Sequence, residues 1–232
     1  MAGMLAPPRT SVVREVSGLL RGIGTLPALV VTGRSSLPRG HGAPVIVVPG
    51  YMTGDISTVA LRSFLRLLDY DVRGWGLGIN RGNLGKMLPK VVDCVRDLAA
   101  RRASRVCVIG WSLGGVLARD AARRIPQHIS RVITLGTPVI GGPKYTATAG
   151  AYRRRGVDLD ALEHRIAQQN ALPLQVPITA IYSKLDGIVA WEACLDPNPD
   201  NRVEHIEVRA THCELAFSAS VLRVIAERLG RG

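Results

Sequence analysis

Residues 106 to 124 read "VCVIGWSLGGVLARDAARR", and within this stretch the hydrophobic period changes abruptly. The β-branched, apolar start has the composition of a buried strand. From Leu113 onward, Val116, Leu117 and the alanines recur at helical spacing. Gly110 and Gly114 bracket the change and leave room for only a tight turn, with Ser112 at its tip. A buried strand running straight into a helix is half of a parallel β-α-β unit.

The same alternation extends along the chain from residue 43. "APVIVV", "YDVRGW", 105–110, "RVITLG", "ITAIYS" and "VEHIEV" have strand patterns. Helices are expected over 57–68, with Val59, Ala60, Phe64 and Leu67 inward, from Leu84 to Leu98, over 113–124 and over 216–229. Residues 140–175 read as irregular. This order predicts an α/β fold: a mainly parallel sheet of about six strands with helices on both faces. Active sites of such sheets lie at the carboxyl ends of the strands, and Ser112 follows one such end.

The chain has 232 residues, enough for one domain with a substantial core. Residues 1–40 form an N-terminal arm and linker, and 41–232 the main domain. The first residues lack an early charged region, and no apolar run has the length of a membrane span. A cytoplasmic location follows as the expectation. The net charge of +12 comes almost wholly from scattered arginines. It favours anionic partners and makes a peripheral position on an anionic membrane surface a candidate. No zinc-ligand spacing or aromatic RNA-binding signature accompanies it, so nucleic acid is not an expected partner. The arm carries an amphipathic stripe, Val12, Val16, Leu19 and Ile23, among Arg9, Arg14 and Arg21. It is read either as a membrane-surface helix or as an extra helix packed on the domain.

A serine hydroxyl needs a base to take its proton and donors to receive the charge that develops on the substrate. "GWSLGG" in a strand–turn–helix context meets the G-x-S-x-G pattern, in which the turn lifts the hydroxyl clear of the backbone. It also aims the Leu113 N–H at the same point. Of five histidines, His212 alone follows a strand and precedes a helix, in "RATHCELAF". His41 lies in the linker, His128 at the opposite edge of the sheet and His164 on a surface helix. His205 sits inside a strand as a structural residue. Asp186, in "YSKLDGIV", follows a strand end and completes the order Ser, Asp, His. Asp158, Asp160, Glu192 and Asp196 are the competing acids. A second oxyanion donor is expected after the first core strand, in "VVPGYMTGD", at the Tyr51 amide with Met52 as its neighbour. Met52, Trp111 and Trp75 are the expected pocket walls.

These segments, with "ITLGTPVIGGP" and "THCEL", resemble the α/β-hydrolase family over residues 43 to 230, in particular its compact bacterial lipases and esterases. The resemblance implies ester hydrolysis through an acyl-enzyme, no metal or organic cofactor, and a small cap within 140–175. Pro49 stands where a histidine is common in the family. Acyl transfer or thioester cleavage with the same triad, and a non-catalytic basic membrane-surface module on this fold, are the alternatives. "GWGLGINRG" lacks the third glycine of a dinucleotide fingerprint, since Arg81 occupies its place. Cys194 and Cys213 follow the last two strands, beside Asp186 and His212, and are expected to be either bridged or two free thiols.

Overall fold

The interior strands are runs of valine and isoleucine buried on both faces, the pattern of a parallel sheet covered by helices. In the computed structural model, which describes residues 4–7, 15 and 36–231, six strands form one sheet. They are β1 (Pro44–Val48), β2 (Asp71–Gly74), β3 (Val106–Trp111), β4 (Ile129–Leu135), β5 (Ile178–Tyr182) and β6 (Val203–Glu207). Their order is β2-β1-β3-β4-β5-β6, with every pair parallel. The edges are protected in two ways: β2 is short, and β6 carries Glu204, His205 and Glu207.

The helices are α1 (Val59–Leu67), α2 (Leu84–Arg102), α3 (Leu113–Arg124), α4 (Ala149–Arg154), α5 (Leu159–Asn170) and α6 (Ala219–Leu229). Alternate strand residues face two separate cores. Val45, Val47, Cys107 and Ile109 pack on α1 and α6, through Leu61, Phe64, Leu65, Val221 and Ile225. Ile46, Val48, Val106 and Val108 pack on α2 and α3, through Val91, Val95, Leu117 and Ala121.

Two expectations are corrected. On α1 the inward face is Leu61, Phe64 and Leu65, whereas Val59 and Leu67 are exposed. A 3-10 turn over Asp55–Thr58 precedes the helix, so the helical phase starts later than the apolar pattern suggests. Residues 140–175 are not irregular but hold α4 and α5. The side chain of Asp158 caps α5 by accepting the N–H groups of Asp160 and Ala161, each at 3.0 Å. The arm residues Arg9, Val12, Arg14, Val16, Leu19, Arg21 and Ile23 lie outside the described residues. No helix of the described residues is long and apolar enough to cross a membrane.

Candidate active site

Strand register sets the site. Val48 pairs with Gly110, and Trp111 with Leu135, so the loops after β1, β3 and β4 leave the sheet side by side. Between β3 and α3 the backbone reverses at Ser112, with φ 54° and ψ −124°. A non-glycine residue in that region is strained and persists only when its surroundings over-determine it. Here the Ser112 N–H donates to Leu135 O at 2.7 Å. Its carbonyl accepts the Thr137 hydroxyl at 3.0 Å and the Gly115 N–H at 2.9 Å. The bracketing glycine is a packing necessity: a Cβ at Gly110 would sit 2.4 Å from the Gly114 carbonyl oxygen and from Gly115 backbone.

Ser112 opens onto a cavity of about 240 Å³, whose walls include Tyr51, Trp111, Leu113, Tyr152 and His212. Two loops, one after β5 and one after β6, bring a carboxylate and an imidazole together beside it. Asp186 lies beyond β5, and its Oδ1 accepts the N–H groups of Ile188 and Val189, each at 2.8 Å. That leaves Oδ2 for His212 Nδ1, 2.7 Å away, with both side chains buried. A proton on Nδ1 facing the carboxylate makes Nε2 the free acceptor. The imidazole lies 5.6 Å, centroid to centroid, from the Trp111 ring, whose Nε1–H donates to the His212 carbonyl at 3.1 Å. Burial alone would push the imidazole pKa down. The charge and hydrogen bond of Asp186, with the charge of Glu15, outweigh burial and raise it above the ordinary histidine value.

The competing groups are engaged elsewhere. Asp196 pairs with Arg119 at 2.7 Å, Asp160 with Lys144 at 2.6 Å, and Asp158 caps α5. Glu192 does not line the cavity, and His205 Nε2 accepts the Asp196 N–H at 2.9 Å.

On the opposite wall, the N–H groups of Tyr51 and of Leu113, the first residue of α3, take no hydrogen-bond acceptor among the described residues. The Met52 N–H instead donates to Asn80 O at 2.7 Å. Two expected wall residues are displaced. Met52 has φ 57°, and its side chain is 57% exposed outside the cavity. Trp75 is 2% exposed in the core beside α2, with its Nε1–H donating to Gly78 O at 3.0 Å. The cavity walls come instead from residues 142–152, chiefly Pro143, Thr146, Thr148 and Tyr152. Arg155 donates to the Tyr51 hydroxyl at 2.8 Å, joining this segment to the loop after β1.

Three contributors escape sequence reasoning. Asn80, fully buried, donates from Nδ2 to Pro49 O at 3.0 Å and accepts the Gly82 N–H at 3.2 Å, clamping the Tyr51 loop. Gly136, with φ 54°, lies against the acid–base pair: a Cβ there would come 2.9 Å from Asp186 Oδ2 and 3.0 Å from His212 Nδ1. The third is Glu15. Only Gly136 left a signal, as the glycine of "LGTP" at a strand end. All four cysteines are free, so the structure has no Cys194–Cys213 bridge. No group of three or more His, Cys, Asp or Glu able to hold a metal occurs among the described residues.

No family model matches the chain. Two curated relatives are both pimeloyl-(acyl-carrier protein) methyl ester esterases. That of Aliivibrio fischeri is 26% identical over 116 residues, covering 48% of this chain and 42% of the relative. That of Vibrio campbellii is 30% identical over 112 residues, covering 47% of this chain and 41% of the relative. The chain thus matches less than half the length of either relative. Among solved structures, a metagenome-derived lipolytic enzyme superposes with a TM-score of 0.67 at 14% identity, covering 84% of this chain and 96% of that one. A mature Bacillus licheniformis lipase gives 0.60 at 13% identity, covering 84% and 94%. Mouse alpha/beta hydrolase domain-containing protein 10 gives 0.57 at 21% identity, covering 85% and 96%. With its strand order and its strand–turn–helix at Ser112, the chain has the fold of these α/β-hydrolase structures.

Proposed function

We propose that the protein is a serine hydrolase of carboxylic esters, acyl or lipid, working through an acyl-enzyme within a hydrolase domain spanning 41–232. The observation that carries this reading is the hydrogen-bonded His212–Asp186 pair on the same cavity as a serine held at positive φ. In the first half-reaction Ser112 Oγ attacks the ester carbonyl carbon while His212 Nε2 takes its proton. The carbonyl oxygen becomes an oxyanion that accepts the N–H groups of Tyr51 and Leu113. Asp186 keeps the imidazole in the required tautomer and stabilises the imidazolium. Collapse expels the alcohol, which receives its proton from His212. Water then attacks the acyl carbon, with His212 again the base, and the carboxylic acid leaves as Ser112 regains its proton. The segment 142–152 acts as a small cap whose side chains line the acyl cavity. The names of the relatives, methyl ester esterases and lipases, support esters as the substrate class.

A fluorophosphonate should label wild-type protein once, on Ser112, and acyl esters graded in chain length should be turned over. Ser112→Ala should be unlabelled and lose turnover on the order of a million-fold, because the members of such a triad act as a unit. Intact labelling of Ser112→Ala would sink the assignment.

A further inference from the structure

A carboxylate buried to 5% exposure is a costly thing to keep unless donors surround it. Glu15 is such a group, and its donors are three backbone N–H groups. Oε1 accepts from Gly187 at 2.9 Å and from His212 at 3.0 Å, and Oε2 accepts from Cys213 at 2.8 Å. Gly187 directly follows Asp186, and His212 is the base itself. One side chain, about two hundred residues away in sequence, therefore joins the acid loop to the base loop at the backbone.

We propose that Glu15 is a positioning residue of the hydrolytic site, which fixes the backbones of the Asp186 and His212 loops against each other and sets a second negative charge beside His212. This rests on the hydrolase reading above. Charge-assisted bonds from N–H groups to a carboxylate are short and directional, so both loops are referenced to one rigid acceptor. Asp186 Oδ1 is pinned within its own loop, by Ile188 and Val189. His212 has no such local anchor for its N–H, which goes to Glu15. Glu15 does not line the cavity and so has no contact through which to bind substrate.

The electrostatics run the same way. The charges that raise the His212 proton affinity are those of Asp186 and Glu15, against burial. Among the described residues, the other titratable groups around this pair are Cys194 beside Asp186, and Cys213 and Glu214 in the His212 loop. None of them carries a positive charge. Removing the Glu15 charge must lower the proton affinity of His212.

Glu15→Gln keeps the shape and one acceptor oxygen but loses the charge and turns an amide N–H₂ toward a backbone donor. Glu15→Ala leaves three buried N–H groups without acceptors, and formate is small enough to replace the carboxylate. The full chain and both variants would be compared by the NMR titration of the His212 ring, by kcat and KM on an acyl ester, and by Tm. Expected for Glu15→Gln is a lower His212 titration midpoint and a fall in kcat on the order of a hundredfold with KM unchanged, the scale of a small misplacement of reacting groups. Formate should restore kcat to Glu15→Ala and leave Ser112→Ala inactive. A lowered Tm with an unmoved His212 midpoint and no formate rescue would reduce Glu15 to scaffold and overturn the proposal. Wild-type kcat and midpoint in both variants would overturn it too. A wild-type chain that neither labels at Ser112 nor turns over esters would instead refute the hydrolase reading, and with it the kcat part of the proposal. The NMR midpoint would still decide the electrostatic part.

Discussion

The Ser112 turn and the Asp186–His212 pair meet on one cavity but draw their constraints from different numbers of elements. At Ser112 the turn's own glycines set the conformation, and one neighbouring strand end, through Leu135 O and the Thr137 hydroxyl, ties it down. Gly110 must be small because Gly114 and Gly115 pass over it, and Gly115 N–H closes on the Ser112 carbonyl. The acid and base lie 26 residues apart in the chain. Their geometry depends on partners from elsewhere: Glu15 from the arm, Gly136 from the end of β4, and Trp111 against the imidazole. A locally determined element withstands distant change, whereas a pair assembled from several loops is sensitive to each of them. The serine is thus oriented chiefly by its turn, and the histidine by partners drawn from several parts of the chain.

The largest break in that comparison comes from Asp186→Asn. The amide is nearly isosteric, so the loop keeps its bonds from Ile188 and Val189, but it can present an N–H to Nδ1 and favour the wrong tautomer. The expected loss in kcat is about 10⁴-fold, by analogy with the same change in other serine hydrolases, with Tm little altered. Near-wild-type turnover would assign the orienting role to another carboxylate. Gly136→Ala is next. Its φ of 54° disfavours a side chain, and the new methyl would push between Asp186 Oδ2 and His212 Nδ1. A displacement of the pair by a fraction of an ångström should cost on the order of a hundredfold in kcat. Leu135 and Thr137, which flank Gly136, also bond Ser112, so the fluorophosphonate rate should fall along with kcat while circular dichroism stays native. A variant with wild-type kcat would show that the pair tolerates more displacement than its packing implies.

The same contrast explains what was legible in the sequence. The Ser112 turn, the six strands and α3 are written in local patterns, and the structure places them within a residue or two of the expected bounds. His212 and Asp186 could be picked out because strand ends define where a loop must emerge. The residues that hold them could not. Glu15 lies in an arm whose only readable feature was an apolar stripe, and a glutamate there looks like any solvated charge. Asn80 sits in a loop that reads as a glycine-rich turn, yet its side chain ties that loop to Pro49. Trp75 and Met52 were misplaced for a related reason: proximity in sequence to a strand end says where a backbone goes, not which way a side chain points. Trp75 turned into the core beside α2 and Met52 outward. In 140–175, α4 and α5 were masked by a mixture of polar and small residues with little amphipathic contrast, their packing partners being mainly each other and the turn at Gly142–Tyr145.

The smallest effect expected is also the one that separates the pair from the turn most cleanly, because Ser112 does not titrate in the working range. Burial alone would hold the His212 pKa down, but Asp186 and Glu15 raise it above the ordinary value of about 6.5. In its proposed role as general base His212 must be neutral. Activity should therefore be lost as pH falls through this raised folded-state value, up to tenfold per pH unit below it. Stability moves the other way. The folded state holds the His212 proton more tightly than the unfolded chain does, so this group's contribution is fully present below the unfolded value of about 6.5 and is lost as pH rises through the folded one. Between the two values kcat/KM should climb while Tm declines. Asp186→Asn, lacking the charge that sustains the imidazolium, should move the His212 midpoint down and flatten that part of the Tm profile. The measurement is a pH–rate profile set beside Tm over the same buffers, with NMR of the His212 ring to assign the midpoint. A His212 midpoint at or below the ordinary value would mean that burial dominates, and that the carboxylates hold the base in place without charging it.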